Sequence, residues 1–71
     1  MTRTLTAHFA SAEAARNAHE DFIDTGFPSE TVYLDRGNAA LKVLTSAVNE
    51  PEIREILGRH QPSRIDVHET E

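Results

Sequence analysis

Apolar and polar residues alternate over Leu5-Thr6-Ala7-His8-Phe9. Leu5, Ala7 and Phe9 fall in one phase, and Thr4, Thr6 and His8 in the other. A period of two places one set on a buried face and the other on the opposite face, so a strand is predicted from about Arg3 to Ala10. From Ala12 the period changes to that of a helix. Ala15, Ala18 and Phe22 share a stripe flanked by Ala12, Ala14 and Ile23, while Glu13, Arg16, Asn17, Glu20, Asp21 and Asp24 lie opposite. Ser11 supplies an N-cap hydroxyl, and Glu13 suits the positive end of the helix dipole. The alanines predict close approach of this helix to a sheet. Gly26 fits the left-handed position that ends a helix, Phe27 then packs back on Phe22, and Pro28 blocks continuation.

Two further short runs alternate. Thr31 to Asp35 turns Val32 and Leu34 inward, and Ala40 to Thr45 turns Leu41 and Val43 inward. Arg36-Gly37-Asn38-Ala39 joins them as a hairpin loop. Lys42 fixes the register, since a slip of one residue would bury its charge. A second helix is expected to start at Asn49 with a capping box to Glu52 and a staple between Val48 and Ile53. Pro51 is tolerated in the first turn. Ile53, Ile56 and Leu57 form its buried stripe, His60 continues that stripe in the last turn, and Pro62 stops the helix. The last strand, Ser63 to His68, turns Ile65 and Val67 inward and Arg64, Asp66 and His68 outward, and an acidic tail frays beyond it.

The order strand, helix, strand, strand, helix, strand, with right-handed crossovers, predicts one α+β domain over residues 1–71. It is a ferredoxin-like βαββαβ plait, a four-stranded antiparallel sheet of order 4-1-3-2 with both helices on one face. The expected core is Leu5, Ala7, Phe9, Ala15, Ala18, Phe22, Val32, Leu34, Leu41, Val43, Ile53, Ile56, Leu57, Ile65 and Val67.

Composition narrows the partners. A core within 71 residues leaves net stability of only about 3–5 kcal/mol. There is no cysteine, which removes disulfides and thiolate metal sites and fits a reducing compartment. No apolar run is long enough for a membrane span or a signal peptide, so a cytoplasmic location is expected. Twelve acidic against seven scattered basic residues give a formal charge of −5, which opposes nucleic-acid binding. RNA-binding plaits also stack bases on aromatic residues of their two central strands; here those strands offer Thr4, Thr6, His8, Lys42 and Leu44.

The histidines are the candidate reactive groups. His8, Asp66 and His68 share the open sheet face. If Thr6 sits opposite His68, His8 faces Asp66 and lies diagonal to His68, close enough to consider a His-His-Asp metal site; if the register is displaced by two, His8 faces Arg64 and that site vanishes. No ligand-spacing motif accompanies them, so polar decoration of a solvated sheet is the reading taken, with no metal or cofactor. His60 reads either as a general base in a cleft or as a roof on the core edge beside the helix dipole. His19 lies at the edge of the first helix's apolar stripe. Tyr33, Lys42 and Leu44 complete a half-polar face with Thr6, His8, Asp66 and His68, suited to a self-complementary dimer surface. The helix carboxylates read as a solvated face. Gly26, Gly37 and Gly58 are not spaced to cradle phosphate, and Arg36-Gly37-Asn38 reads as a plain hairpin turn before it reads as an anion nest.

Two stretches carry a family resemblance. One is His8-Phe9-Ala10-Ser11-Ala12-Glu13-Ala14-Ala15 followed by Gly26-Phe27-Pro28. The other is Leu41-Lys42-Val43-Leu44 followed by Ile56-Leu57-Gly58-Arg59-His60 and Arg64-Ile65-Asp66-Val67. Together they resemble the small plait domain of bacterial general-stress proteins of the 17M type, over nearly the whole chain but without the Gly-rich insert often found between the halves. The strand, Ser-capped helix and Gly-Phe-Pro arrangement is also similar to SPOR and ACT plaits. The resemblance implies a bacterial, cytoplasmic, non-catalytic domain and brings no catalytic residues. The expected function is a small binding or protein-interaction module, homodimeric or bound to another protein through the open face or an edge strand. The alternative is a ligand-binding regulator or small enzyme using the cleft near His60.

Overall fold

The structure is a computed structural model that describes residues 2–70. The elements run β1 (Thr2–His8), α1 (Ala12–Thr25), a 3-10 turn (Ser29–Thr31), β2 (Val32–Asp35), β3 (Ala40–Ser46), α2 (Glu50–Gly58) and β4 (Arg64–Thr70). The four strands form one antiparallel sheet of order β2-β3-β1-β4. This is the expected ferredoxin-like plait. β4 continues through the stretch expected to fray, and Glu71 lies outside the described residues.

One face of the sheet carries the core. Leu5 stands between Val43 and Val67, with Val32 beyond Val43; in the next row Ala7 stands between Leu41 and Ile65, with Leu34 beyond Leu41. Ala15, Ala18 and Phe22 of α1 and Ile53, Ile56 and Leu57 of α2 close over these rows. Phe22 is fully buried, and Ala15 and Ala18 retain no exposure because α1 lies directly on the strands. Val67 was expected in the core but is 37 % exposed. It lies on edge strand β4, whereas α2 packs chiefly on α1 and β3. Ala40 is buried although its phase is that of the open face.

α1 begins and ends as its sequence predicts. Ser11 Oγ accepts the Ala14 N–H at 3.2 Å. At the other end Gly26 adopts φ 111°, donates to Ile23 O and hands the chain to Phe27, whose N–H donates to Phe22 O. Both bonds define a Schellman end. The Phe27 ring then meets Phe22 edge-on at 5.2 Å between centroids.

α2 begins differently from expectation. Asn49 is itself helical (φ −90°, ψ −5°) and makes no side-chain cap. A capping residue needs an extended backbone to aim its side chain at the first-turn amides, so the capping box with Glu52 does not form. Val48 is 86 % exposed, so the staple to Ile53 is absent too. Long-range charge holds the helix start instead. Arg3 Nη1 of β1 donates to Glu50 Oε1, Arg3 Nη2 donates to Glu69 at 2.9 Å, and Arg54 Nε donates to the other Glu50 oxygen at 2.8 Å. α2 ends at Gly58, and His60 and Gln61 follow in a turn with Gln61 at φ 51°. His60 therefore lies beyond the helix rather than in its last turn.

Two outcomes follow from these contacts. Hydrogen bonds from Arg54 and then Arg3 hold the Glu50 carboxyl below its ordinary value of 4.5. Its contribution is therefore present above that value and lost as pH falls through the lower folded-state value. In chemical denaturation at a series of pH values, Glu50→Gln is less stable than the unmodified protein at pH 7, and the gap closes as the pH drops below 4.5. Ala39, last in the β2–β3 loop, sits at φ 50°. A left-handed alanine costs about 1–2 kcal/mol, and glycine's flexibility returns roughly 0.5–1 of that. Ala39→Gly thus raises the melting temperature by about 2–8 °C, and Ala39→Val lowers it.

Candidate functional site

Both helices cover the same side of the sheet, so the other side is open. Strand register arranges it in rows. Tyr33, Lys42, Thr6 and Asp66 form one; Asp35, Ala40, His8 and Arg64 form the next; Leu44, Thr4 and His68 form a third. The expected face residues Thr6, His8, Tyr33, Lys42, Leu44, Asp66 and His68 are therefore all on this surface. Tyr33 is 51 % exposed and Leu44 36 %. Tyr33 is the one aromatic residue of the face and stands on edge strand β2. The charges balance within the face, with Lys42 and Arg64 against Asp35 and Asp66, so the chain's formal excess of −5 lies elsewhere. Much of it belongs to the helix layer, in Glu13, Glu20, Asp21, Asp24, Glu50, Glu52 and Glu55.

The register decides between the two histidine arrangements. His8 faces Arg64, Thr6 faces Asp66 and Thr4 faces His68. His8 and His68 are thus four positions apart along the strands, about 13 Å, too far to share one ion. Among the described residues no group of three or more His, Asp or Glu side chains is placed to hold a metal. Asp66 instead gathers donors, with His8 Nε2 at 3.1 Å and Arg64 Nη2 at 3.2 Å from Oδ2. The His8 tautomer that donates to this carboxylate carries its proton on Nε2, so Arg64, 3.5 Å from the same nitrogen, serves Asp66.

His60 is engaged by the first helix. Its Nε2 lies 2.9 Å from Asp21 Oδ2, and Arg59 stands 3.9 Å from the same oxygen. This joins the end of α2 to the polar flank of α1, and none of the surface hollows described here is lined by His60. The hairpin loop is also internally satisfied. Asn38 donates its backbone N–H to Asp35 Oδ1 at 3.3 Å and its side-chain amide to Oδ2 at 2.8 Å. These bonds hold the Asp35 carboxyl below its ordinary value and occupy the Asn38 amide that an anion nest would have used.

One hollow lies where the sequence showed no pattern. A groove of about 450 Å³ runs between α1 and the β2–β3 edge, floored by Ile23 and Leu34 and lined by Arg16 and Arg36. A second hollow, about 350 Å³, shares both arginines and adds Ala12 and Glu13. Residues 16 and 36 become neighbours only because α1 crosses back over the sheet.

No protein-family model, curated protein or solved structure matches this chain.

His60→Ala removes the hydrogen bond that ties the turn after α2 to α1 and leaves Asp21 without its nearest partner. The half-exposed hydrogen bond contributes about 1 kcal/mol, so the urea midpoint falls while amide shifts of the open face stay in place.

Proposed function

We propose that this chain is a small, non-catalytic interaction module that forms a homodimer through its open sheet face. The observation that supports the reading is the contrast between the two sides. The uncovered face is charge-balanced and mixes threonine with Tyr33 and Leu44, whereas the helix layer is acidic. Two acidic helix layers repel, but two balanced faces meet without net charge repulsion, and Lys42 or Arg64 of one copy finds Asp35 or Asp66 of the other. The resemblance to general-stress plait domains favours a bacterial cytoplasmic setting for the module. Among the described residues no helix is long and apolar enough to cross a membrane. The cleft reading drops behind, since His60 is bound to Asp21 and lines neither the groove beside α1 nor the two smaller hollows.

Size sets the strength. Four strands at about 4.8 Å spacing and seven residues at roughly 3.3 Å each give a footprint of about 400 Å² per copy. A standard interface buries about 800 Å² per partner, so the dimer is weak and forms at high protein concentration. β4 has a strand on one side only, and its seven residues offer an edge for the alternative mode of pairing.

Sedimentation velocity over a wide concentration range tests the proposal. The unmodified protein shifts towards dimer as concentration rises, and Leu44→Asp stays monomeric. Ile23→Asp is the control, because Ile23 and Leu44 are equally exposed at 36 % but on opposite sides. A protein monomeric throughout defeats the reading. A dimer indifferent to Leu44→Asp moves the contact to the β4 edge.

A further inference from the structure

Of the six arginines, Arg3, Arg54, Arg59 and Arg64 each have a carboxylate within 4.0 Å. Arg16 and Arg36 have none among the described residues, and both line the two adjoining hollows beside α1. For Arg16 this is the less expected outcome. Glu13 and Glu20 stand three and four positions away in the same helix, the spacings at which charges pair, yet neither is paired with it.

Two guanidiniums without a carboxylate partner line one groove, and each offers parallel N–H donors that suit an oxyanion. Ile23 and Leu34 lie beside them, with Ile23 still 36 % exposed, so an apolar group gains by covering them. Volume agrees, since about 450 Å³ lies within the range of small-molecule sites. Glu13, Glu20 and Asp24 share the lining. The charge of the lining therefore gives a dianion no advantage over a monoanion, and the apolar surface of Ile23 and Leu34 favours an acid with a hydrocarbon body over inorganic phosphate.

We propose that the groove between α1 and the β2–β3 edge binds a small apolar carboxylic acid, its carboxylate held by Arg16 and Arg36 and its hydrocarbon body laid on Ile23 and Leu34. The groove lies on the helix side of the sheet, away from the open face, so the site is independent of dimerisation.

The test is an amide-shift titration of the isotope-labelled protein at constant ionic strength. The probes are 4-methylpentanoate, the uncharged 4-methyl-1-pentanol and inorganic phosphate. The expected result is saturable shifts at Arg16, His19, Ile23, Leu34 and Arg36 with 4-methylpentanoate, with a dissociation constant of about 1 mM. Arg16→Gln and Arg36→Gln each weaken binding about tenfold. Lys42→Gln makes the same change in net charge on the other side of the sheet and leaves binding unaltered. All three positions are exposed, so the variants keep the fold. The proposal is overturned by shifts that fail to saturate by about 20 mM, by equal response to the alcohol, by arginine variants that bind as well as the unmodified protein, or by tighter binding of phosphate.

Discussion

The structure depends on burying one face of the sheet. Leu5, Leu41 and Val43 on the central strands are fully buried beneath Phe22, Ile53 and Leu57. No disulfide or metal cluster supplements this layer among the described residues. In a core this small each large side chain matters, since cutting Phe to Ala costs about 3–5 kcal/mol, as much as the whole expected margin. The alanines at positions 15 and 18 contribute through what they lack. Having no bulk, they let α1 lie on β2 and β3, and that approach makes the Arg16–Arg36 groove.

Charge is distributed in step with the layers. Acidic side chains crowd the helices, where each also solvates the surface, while the open face balances its few charges. Within the helix layer the arginines do two kinds of work. Arg3 and Arg54 meet at Glu50, joining the start of α2 to β1, and Arg59 stands with His60 beside Asp21, where α2 meets α1. Among the described residues Arg16 and Arg36 pair with no carboxylate. The paired cations join elements of the fold, and the unpaired ones line the groove beside α1.

The two helices show different ways of starting. α1 is capped locally by Ser11, whose hydroxyl needs only the extended backbone preceding the helix. α2 follows a turn that leaves Asn49 helical, so its first residue, Glu50, is held by a side chain from a strand 47 positions away. The first device can act in an isolated segment, whereas the second exists only once the sheet and α2 have come together.

Periodicity and end signals are local, which is why the sequence alone determined the strands, the helices, the Schellman end at Gly26 with its Phe22–Phe27 contact, and the one-sided core. Element order and crossover handedness then left one strand order, the one observed. The membership of the open face was legible for the same reason, since a period of two places Thr6, His8, Tyr33, Lys42, Leu44, Asp66 and His68 on one side once the inward set is known. What the sequence could not decide was position along the strands: displacement by two residues preserves every inward and outward assignment, so only the β1–β4 pairing told whether His8 faced Asp66 or Arg64. Tertiary structure likewise decided the exposure of Val67, the partner of His60, the start of α2 and the meeting of Arg16 with Arg36. Each depends on where a helix crosses the sheet, and that is set by packing of side chains distant in the chain rather than by any pattern along it.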